Sequence, residues 1–305
     1  MMFFLWLSCV STDETYSFGG KEVLDETIDY GVSDADVVFD TPTLTIPAYT
    51  ERMYCYFLTY DGPSVAVVSG RGTQNAKYGH HVLPALSSVS AAEFPDGSIV
   101  DCTEQWIDAE PMIEVTDFSG EGSFSFAFPE GLGRKLESGQ RIMINTHHIN
   151  TTDAAIQVND RIELYVESLD TIDTFVAPFW HSPPNLYIPS GEQTISHTCE
   201  ITQDLNFLYI MGHMHENGER FYVDHHRLDG TTERIYAVEA WDPIYKDVPP
   251  VTYFDLDSFT ILEGESVTTT CVYNNKADEA LEFPAEMCTT IGIIYPAEEA
   301  FECYN

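Results

Sequence analysis

The sequence predicts an all-β protein, a β-sandwich or barrel, and three observations carry that expectation. Helical periodicity is scarce along the 305 residues. Short apolar runs rich in β-branched and aromatic residues recur instead. Gly, Pro, Asn and Asp interrupt them throughout, the punctuation expected of many short strands joined by turns. In chain order, Met53–Tyr60 is dominated by aromatic and apolar residues and Ser64–Ser69 by Val. Ile142–Thr146 and Arg161–Val166 supply two further strands. Leu205–Met211 and Arg220–Val223 follow, then the Thr- and Val-rich Ser266–Tyr273 and the Ile-rich Thr289–Tyr295. No internal repeat of fixed period is present.

The length suffices for two domains, each with its own core. The strand pattern breaks between Ser168 and Pro189, where Asp170, Asp173, Pro178, Pro183 and Pro184 cluster. The expected division is an acidic, flexible leader over 10–38, one domain over 39–172 and a second over 173–305. A formal net charge of −37, from 50 acidic against 13 basic residues, excludes nucleic acid and anionic membrane surfaces as expected partners, because both would be repelled. It reads as a surface adapted for solubility.

The N-terminus, residues 1–9, is a short apolar run ending Leu7-Ser8-Cys9 and followed by Ser11-Thr12-Asp13-Glu14. It is too short to span a bilayer and resembles the end of a secretion signal, with Leu7-Ser8-Cys9 similar to a lipoprotein cleavage site. The expectation is an exported protein, periplasmic, cell-surface or extracellular, with a lipid anchor through Cys9 as one alternative. Six further cysteines remain: Cys55, Cys102, Cys199, Cys271, Cys288 and Cys303. An even set in an exported chain argues for three disulfides. Closing each half separately gives Cys55–Cys102 and leaves the pairing of the other four open. None is spaced C-x-x-C, which argues against a zinc ribbon or a thioredoxin-type site.

The candidate chemistry lies in histidines and one methionine. His213-Met214-His215 directly follows a strand, and residues i and i+2 of a strand share a face, so both imidazoles reach one metal while Met214 points away. Adjacent His80 and His81 meet one metal only in a bend, which Gly79 and Pro84 favour. His147 ends an apolar run and completes a three-imidazole set, whereas His148 points oppositely. His225-His226 reads as solvated surface, and His181 and His197 are isolated. Met287 stands between Glu286 and Cys288, where a disulfide would fix its backbone. A thioether is a soft ligand suited to Cu(I), and imidazole suits copper in either oxidation state. The sets His80, His81, His147 and His213, His215, Met287 therefore point to two copper sites, one in each expected domain.

The order of these residues resembles a known family. His-His, a single His after a strand, His-x-His and then Glu286-Met287-Cys288 is the ligand order of the copper type II, ascorbate-dependent monooxygenases, the family of peptidylglycine α-hydroxylating and dopamine β-monooxygenases. Tyr54-Cys55-Tyr56, Phe128-Pro129-Glu130-Gly131-Leu132-Gly133 and Thr270-Cys271-Val272-Tyr273-Asn274-Asn275 also resemble family segments, and the likeness covers about residues 40 to 305. It implies two tandem antiparallel β-sandwich domains of jelly-roll type and two mononuclear coppers. His80, His81 and His147 would hold the electron-transfer copper, and His213, His215 and Met287 the one that meets O2. Ascorbate would be the reductant, and one oxygen atom would enter a C–H bond of a small-molecule substrate. The implied disulfides are Cys55–Cys102, Cys199–Cys303 and Cys271–Cys288.

Two positions depart from the family. Peptide-amidating members carry an Arg two residues before His-x-His and a Tyr four residues after the Met, to hold a substrate carboxylate. Here these are Met211 and Ile291, so a peptide C-terminus is a poor substrate expectation. Two alternatives compete with the enzyme reading. One is an exported copper-binding protein without turnover. The other is a cupin-type metal enzyme using His213, His215 and Glu219, which lacks a later histidine and leaves the remaining ligands unexplained. The sequence assigns neither the substrate nor an oligomeric state.

Overall fold

The computed structural model describes residues 23–103, 107, 109–112, 123–246, 248–283 and 285–304. The described fold is all-β: apart from two short 3-10 turns, Leu169–Thr171 and Pro243–Lys246, every regular element is a strand. Cys9 and the apolar run before it lie outside the described residues. Among the described residues, no helix is long and apolar enough to cross a membrane.

The sheets divide by sequence. Strands up to Thr174–Phe175 pair only with one another, and those from Ala177–His181 onward likewise. In the first group a five-stranded antiparallel sheet runs Ile99–Asp101, Thr50–Thr59, Arg141–Asn150, Gly79–Ser87, Ala109–Pro111. A second sheet centres on Val65–Thr73 and Arg161–Glu167, and their apolar faces enclose Val67, Val82, Leu136, Ile142, Ile144, Ile162 and Leu164. In the second group one sheet runs Val251–Tyr253, Leu205–His213, Thr289–Tyr295, Ala177–His181, Phe301–Cys303. The other runs Gly191–Glu200, Ser266–Asn275, Gly218–His226, Thr232–Val238. Phe179, Phe207, Ile210, Phe221, Val223, Tyr273 and Ile294 fill the space between them. Alternation decides these faces: Ser266–Asn275 buries every second residue, whereas Thr289–Tyr295, covered on both sides, is buried at every position.

Gly212 lets the two sheets of the second group close. A Cβ there would lie 2.4 Å from a ring carbon of Phe221, so only glycine admits that ring against the strand carrying His213.

The two groups meet at a small apolar cluster of Leu132, Val176, Leu208, Ile293 and Tyr295. Beside it the fully buried Arg134 donates to the carbonyl of Val176 at 3.2 Å and of Glu298 at 2.8 Å, and forms an ion pair with Glu110.

One expectation needs correction. Residues 23–38 are not a flexible leader. Leu24–Asp25 pairs in parallel with Ile156–Val158, and Val37–Asp40 pairs with Arg161–Glu167. Between them Asn159 hydrogen-bonds both backbone groups of Ile28, and the Tyr30 hydroxyl donates to the carbonyls of Thr73 and Asn159. An acidic composition concealed this segment because its anchors are strand pairing and hydrogen bonds to residues distant in sequence, 43 positions away for Thr73 and about 130 for Asn159.

The structure contains the disulfides Cys55–Cys102, Cys199–Cys303 and Cys271–Cys288. Three such bonds fit an oxidising compartment.

Candidate metal centres

The first centre forms where Gly79–Ser87 runs antiparallel to Arg141–Asn150. His147 stands opposite His81, but the next residue, His148, stands opposite Gly79. His80 is therefore the extra residue of a β-bulge, which re-aims a side chain that a regular strand would send to the other face. The sequence anticipated a bend here; the device is a bulge inside a strand. It brings together His80, His81 and His147, whose candidate ligand atoms all lie within 4.8 Å of one another. Ring centroids are 4.6 Å apart for His80 and His147, and 5.0 Å for His81 and His147.

Hydrogen bonds orient two of the rings. His81 Nε2 lies 2.8 Å from the side-chain oxygen of Asn145, whose amide nitrogen faces both sulfurs of Cys55–Cys102 at 3.4 and 3.5 Å. His147 Nε2 lies 2.7 Å from a carboxylate oxygen of Glu51. Both partners are acceptors, so Nε2 carries the proton and the lone pair resides on Nδ1. The Nδ1 atoms of His80 and His81 are 3.3 Å apart. Three imidazoles converging in this way, two held from behind by an oxygen acceptor, have the chemistry of a metal-binding set that suits copper. Asn145 and Glu51 did not stand out in the sequence. Asn145 had one available signal, its i,i+2 spacing to His147 on the same strand.

His148 takes the opposite face, wholly buried, with its Nε2 2.9 Å from the buried carboxylate of Asp160 and 3.0 Å from the Thr146 hydroxyl.

The second centre lies at the end of Leu205–His213. His213 pairs with Thr289, the first residue of Thr289–Tyr295, and His215 follows two residues later in the connecting turn. The two rings are 5.2 Å apart and nearly perpendicular. Met214, between them, is fully buried in the core. His215 Nδ1 lies 3.1 Å from the carbonyl of Ala285, which assigns its proton to Nδ1 and its lone pair to Nε2. The Trp241 indole donates to the His215 carbonyl at 3.1 Å.

Met287 lies two residues before Thr289, where the strand paired with His213 starts. Its carbonyl accepts the Tyr273 hydroxyl at 2.5 Å, and its neighbour Cys288 is bonded to Cys271. Burial, followed by the nearby Glu286 charge, holds the Tyr273 phenol well above its ordinary range, so it stays a donor. The Glu286 carboxylate is fully buried and accepts from the backbone N–H groups of His215, Asn217 and Met287 and from the Asn217 side chain. The backbone beside Met287 is thus joined directly to the His215 turn. Next along the same strands, Met211 and Ile291 are register partners, each 3% exposed. Glu219, the acid of the cupin alternative, accepts a hydrogen bond from Asn274.

Other histidines differ from their sequence reading. His225 is not solvated: it is wholly buried, its Nε2 2.7 Å from a carboxylate oxygen of Glu265. His226 bonds the hydroxyls of Thr232 and Thr268. The isolated His181 and His197 meet in the core with ring centroids 4.2 Å apart. Strand pairing created these contacts from residues whose local sequence looks polar.

Residues 180–305 match the family model described as copper type II ascorbate-dependent monooxygenase, C-terminal domain. That span contains His213, His215 and Met287 and excludes the first histidine set. No curated protein matches the chain. Among solved structures, the major capsid protein P2 of bacteriophage PM2 is 12% identical with a TM-score of 0.36, over 84% of this chain and 97% of that one. The atomic structure of Sulfolobus turreted icosahedral virus includes a chain 11% identical with a TM-score of 0.25, over 83% of this chain. The match spans 58% of that viral chain's length. Scores this low support no argument about fold or function.

Proposed function

We propose that the chain is an exported copper-dependent monooxygenase of two β-domains dividing near residues 172–173, each holding one copper. O2 and ascorbate would be the co-substrates and a substrate C–H bond the site of hydroxylation. The observation that carries this reading is the cluster of His80, His81 and His147. It lies outside the span that matches the monooxygenase family, and its three imidazoles would hold the second metal that two-copper chemistry needs. Bound copper would supply one-electron transfer and the activation of O2 for insertion of one oxygen atom into the substrate.

The protein's own groups prepare the two sites differently. At the first, Asn145 and Glu51 hold protons on Nε2, so His81 and His147 present Nδ1. Three imidazoles form a set that accommodates both copper oxidation states. At the second, the Ala285 carbonyl holds the proton on Nδ1, so His215 presents Nε2. His213, His215 and Met287 would be the ligands there, the thioether favouring the reduced metal. Met211 and Ile291 bring no charge to the strand surface beside His213, which supports a substrate without a carboxylate at that position.

Metal analysis with EPR on the wild type and Met287→Ala tests the proposal. Two mononuclear Cu(II) signals are expected in the wild type. In the variant the first should persist, and ascorbate-dependent hydroxylation should be lost. Loss of both coppers in Met287→Ala or in His213→Ala contradicts separate sites. Copper-loaded wild type that consumes no O2 with ascorbate and a panel of hydrophobic amines and alcohols supports the binding-only alternative.

A further inference from the structure

We infer that Glu286 is the positioning residue that assembles the second ligand set, joining the turn that carries His215 to the one that carries Met287. The inference rests on the reading of His213, His215 and Met287 as ligands, but its physical basis is independent of any metal. Glu286 is 0% exposed. One carboxylate oxygen accepts the backbone N–H of His215 and, at 3.2 Å, that of Met287. The other accepts the backbone N–H of Asn217 at 3.1 Å and its side-chain amide at 3.3 Å. The described partners of this carboxylate are four N–H groups and no cation.

A carboxylate buried without a cation is costly unless its lone pairs are filled, and hydrogen bonds to a charged acceptor are the stronger kind. Filling them here requires both turns at once, since three of the four donors belong to residues 215–217 and the fourth to Met287. The two segments are about seventy residues apart in sequence, at separations of 71 and 69 for the bonds to His215 and Asn217. Disulfide Cys271–Cys288 and the Tyr273 hydroxyl also restrain the backbone at Met287, and their strand reaches the His215 turn indirectly, where Asn274 N–H donates to the Asn217 carbonyl at 2.9 Å. The direct described links between the turns are Glu286 and the bond from His215 Nδ1 to Ala285.

The geometry distinguishes a carboxylate from a group of the same shape. Every demand on Glu286 is for an acceptor, on both oxygens. An amide offers one acceptor oxygen and turns an NH2 group toward two N–H donors. Glu286→Gln therefore preserves volume while breaking the link, and a residue that only filled space would tolerate it.

The test compares wild type, Glu286→Gln, Glu286→Asp and Met287→Leu. Amide hydrogen exchange of the metal-free proteins reports the link itself, and sulfur scattering in Cu(I) X-ray absorption reports the ligand set. In Glu286→Gln we expect faster exchange at His215 and Asn217, loss of the sulfur contribution, about 10–100-fold weaker copper binding at this site, and unchanged copper at the first. Glu286→Asp, too short to reach both turns, should show the same direction. If the Gln substitution prevents folding, the Asp variant is read alone. Wild-type exchange rates, or an intact sulfur signal, in a folded Glu286 variant overturn the inference. A wild type with no sulfur contribution for Met287→Leu to remove overturns the ligand reading instead, and metal-free exchange still reports whether Glu286 links the turns.

Discussion

The side-chain oxygen of Asn145 lies 2.8 Å from Nε2 of His81, and the other end of the same amide faces the Cys55–Cys102 sulfurs. One amide thus fixes which nitrogen of His81 carries the proton, and the disulfide fixes the amide. Asn145→Leu should keep the fold and lower copper affinity at the first centre by about 10–100-fold, the usual cost of losing a group that orients a ligand. Competitive metal titration of the Met287→Ala background, which isolates that centre, measures it. Unchanged affinity would show that His81 is oriented by other contacts.

The buried pair His181 and His197 makes stability depend on pH. Burial depresses His181 to about 3 and His197 to about 4, from an ordinary value near 6.5. An imidazole with a lowered folded-state value binds protons more readily when unfolded. Its contribution is therefore complete above about pH 6.5 and is lost as pH falls toward 4. The change is on the order of 3 kcal/mol for each imidazole across that window. Denaturant midpoints of the wild type and a His181→Gln/His197→Gln variant, measured between pH 7.5 and about 4.5, should converge as pH falls. Parallel profiles would assign the acid sensitivity to carboxylates.

Arg134 anchors the junction between the two groups of sheets through Glu110, Val176 and Glu298. Arg134→Met removes the cation and leaves Glu110 half-buried without it, which should cost about 3–5 kcal/mol. The double variant Arg134→Met/Glu110→Gln should recover part of that loss. A double-mutant cycle on unfolding free energy tests this, and strict additivity would refute the coupling.

Salt should stabilise the protein. A net charge of −37 repels itself in the folded state, and the screening length falls from about 10 Å at 0.1 M to about 3 Å at 1 M. Melting temperature should rise with NaCl over that range. A flat or falling profile would mean that local ion pairs outweigh the general repulsion.

Sequence patterning alone determined that the chain is all-β, because alternating and continuous apolar runs are local properties of the strands themselves. It also singled out both candidate ligand sets from the clustering of histidines and the Glu-Met-Cys segment, although His215 lies in the turn beyond the strand that ends at His213. Tertiary structure decided what each histidine does. Register with Arg141–Asn150 turned His80 into a bulge residue beside His81, and opposing sheets buried His148 against Asp160 and His225 against Glu265. It also gave Asn145, Glu51 and Glu286 their roles and paired Leu24–Asp25 and Val37–Asp40 with distant strands. A strand's face is set by neighbours two residues away. A hydrogen-bond partner is set by pairing register and sheet packing, which join residues as far apart in sequence as Glu51 and His147, 96 positions, or His215 and Glu286, 71.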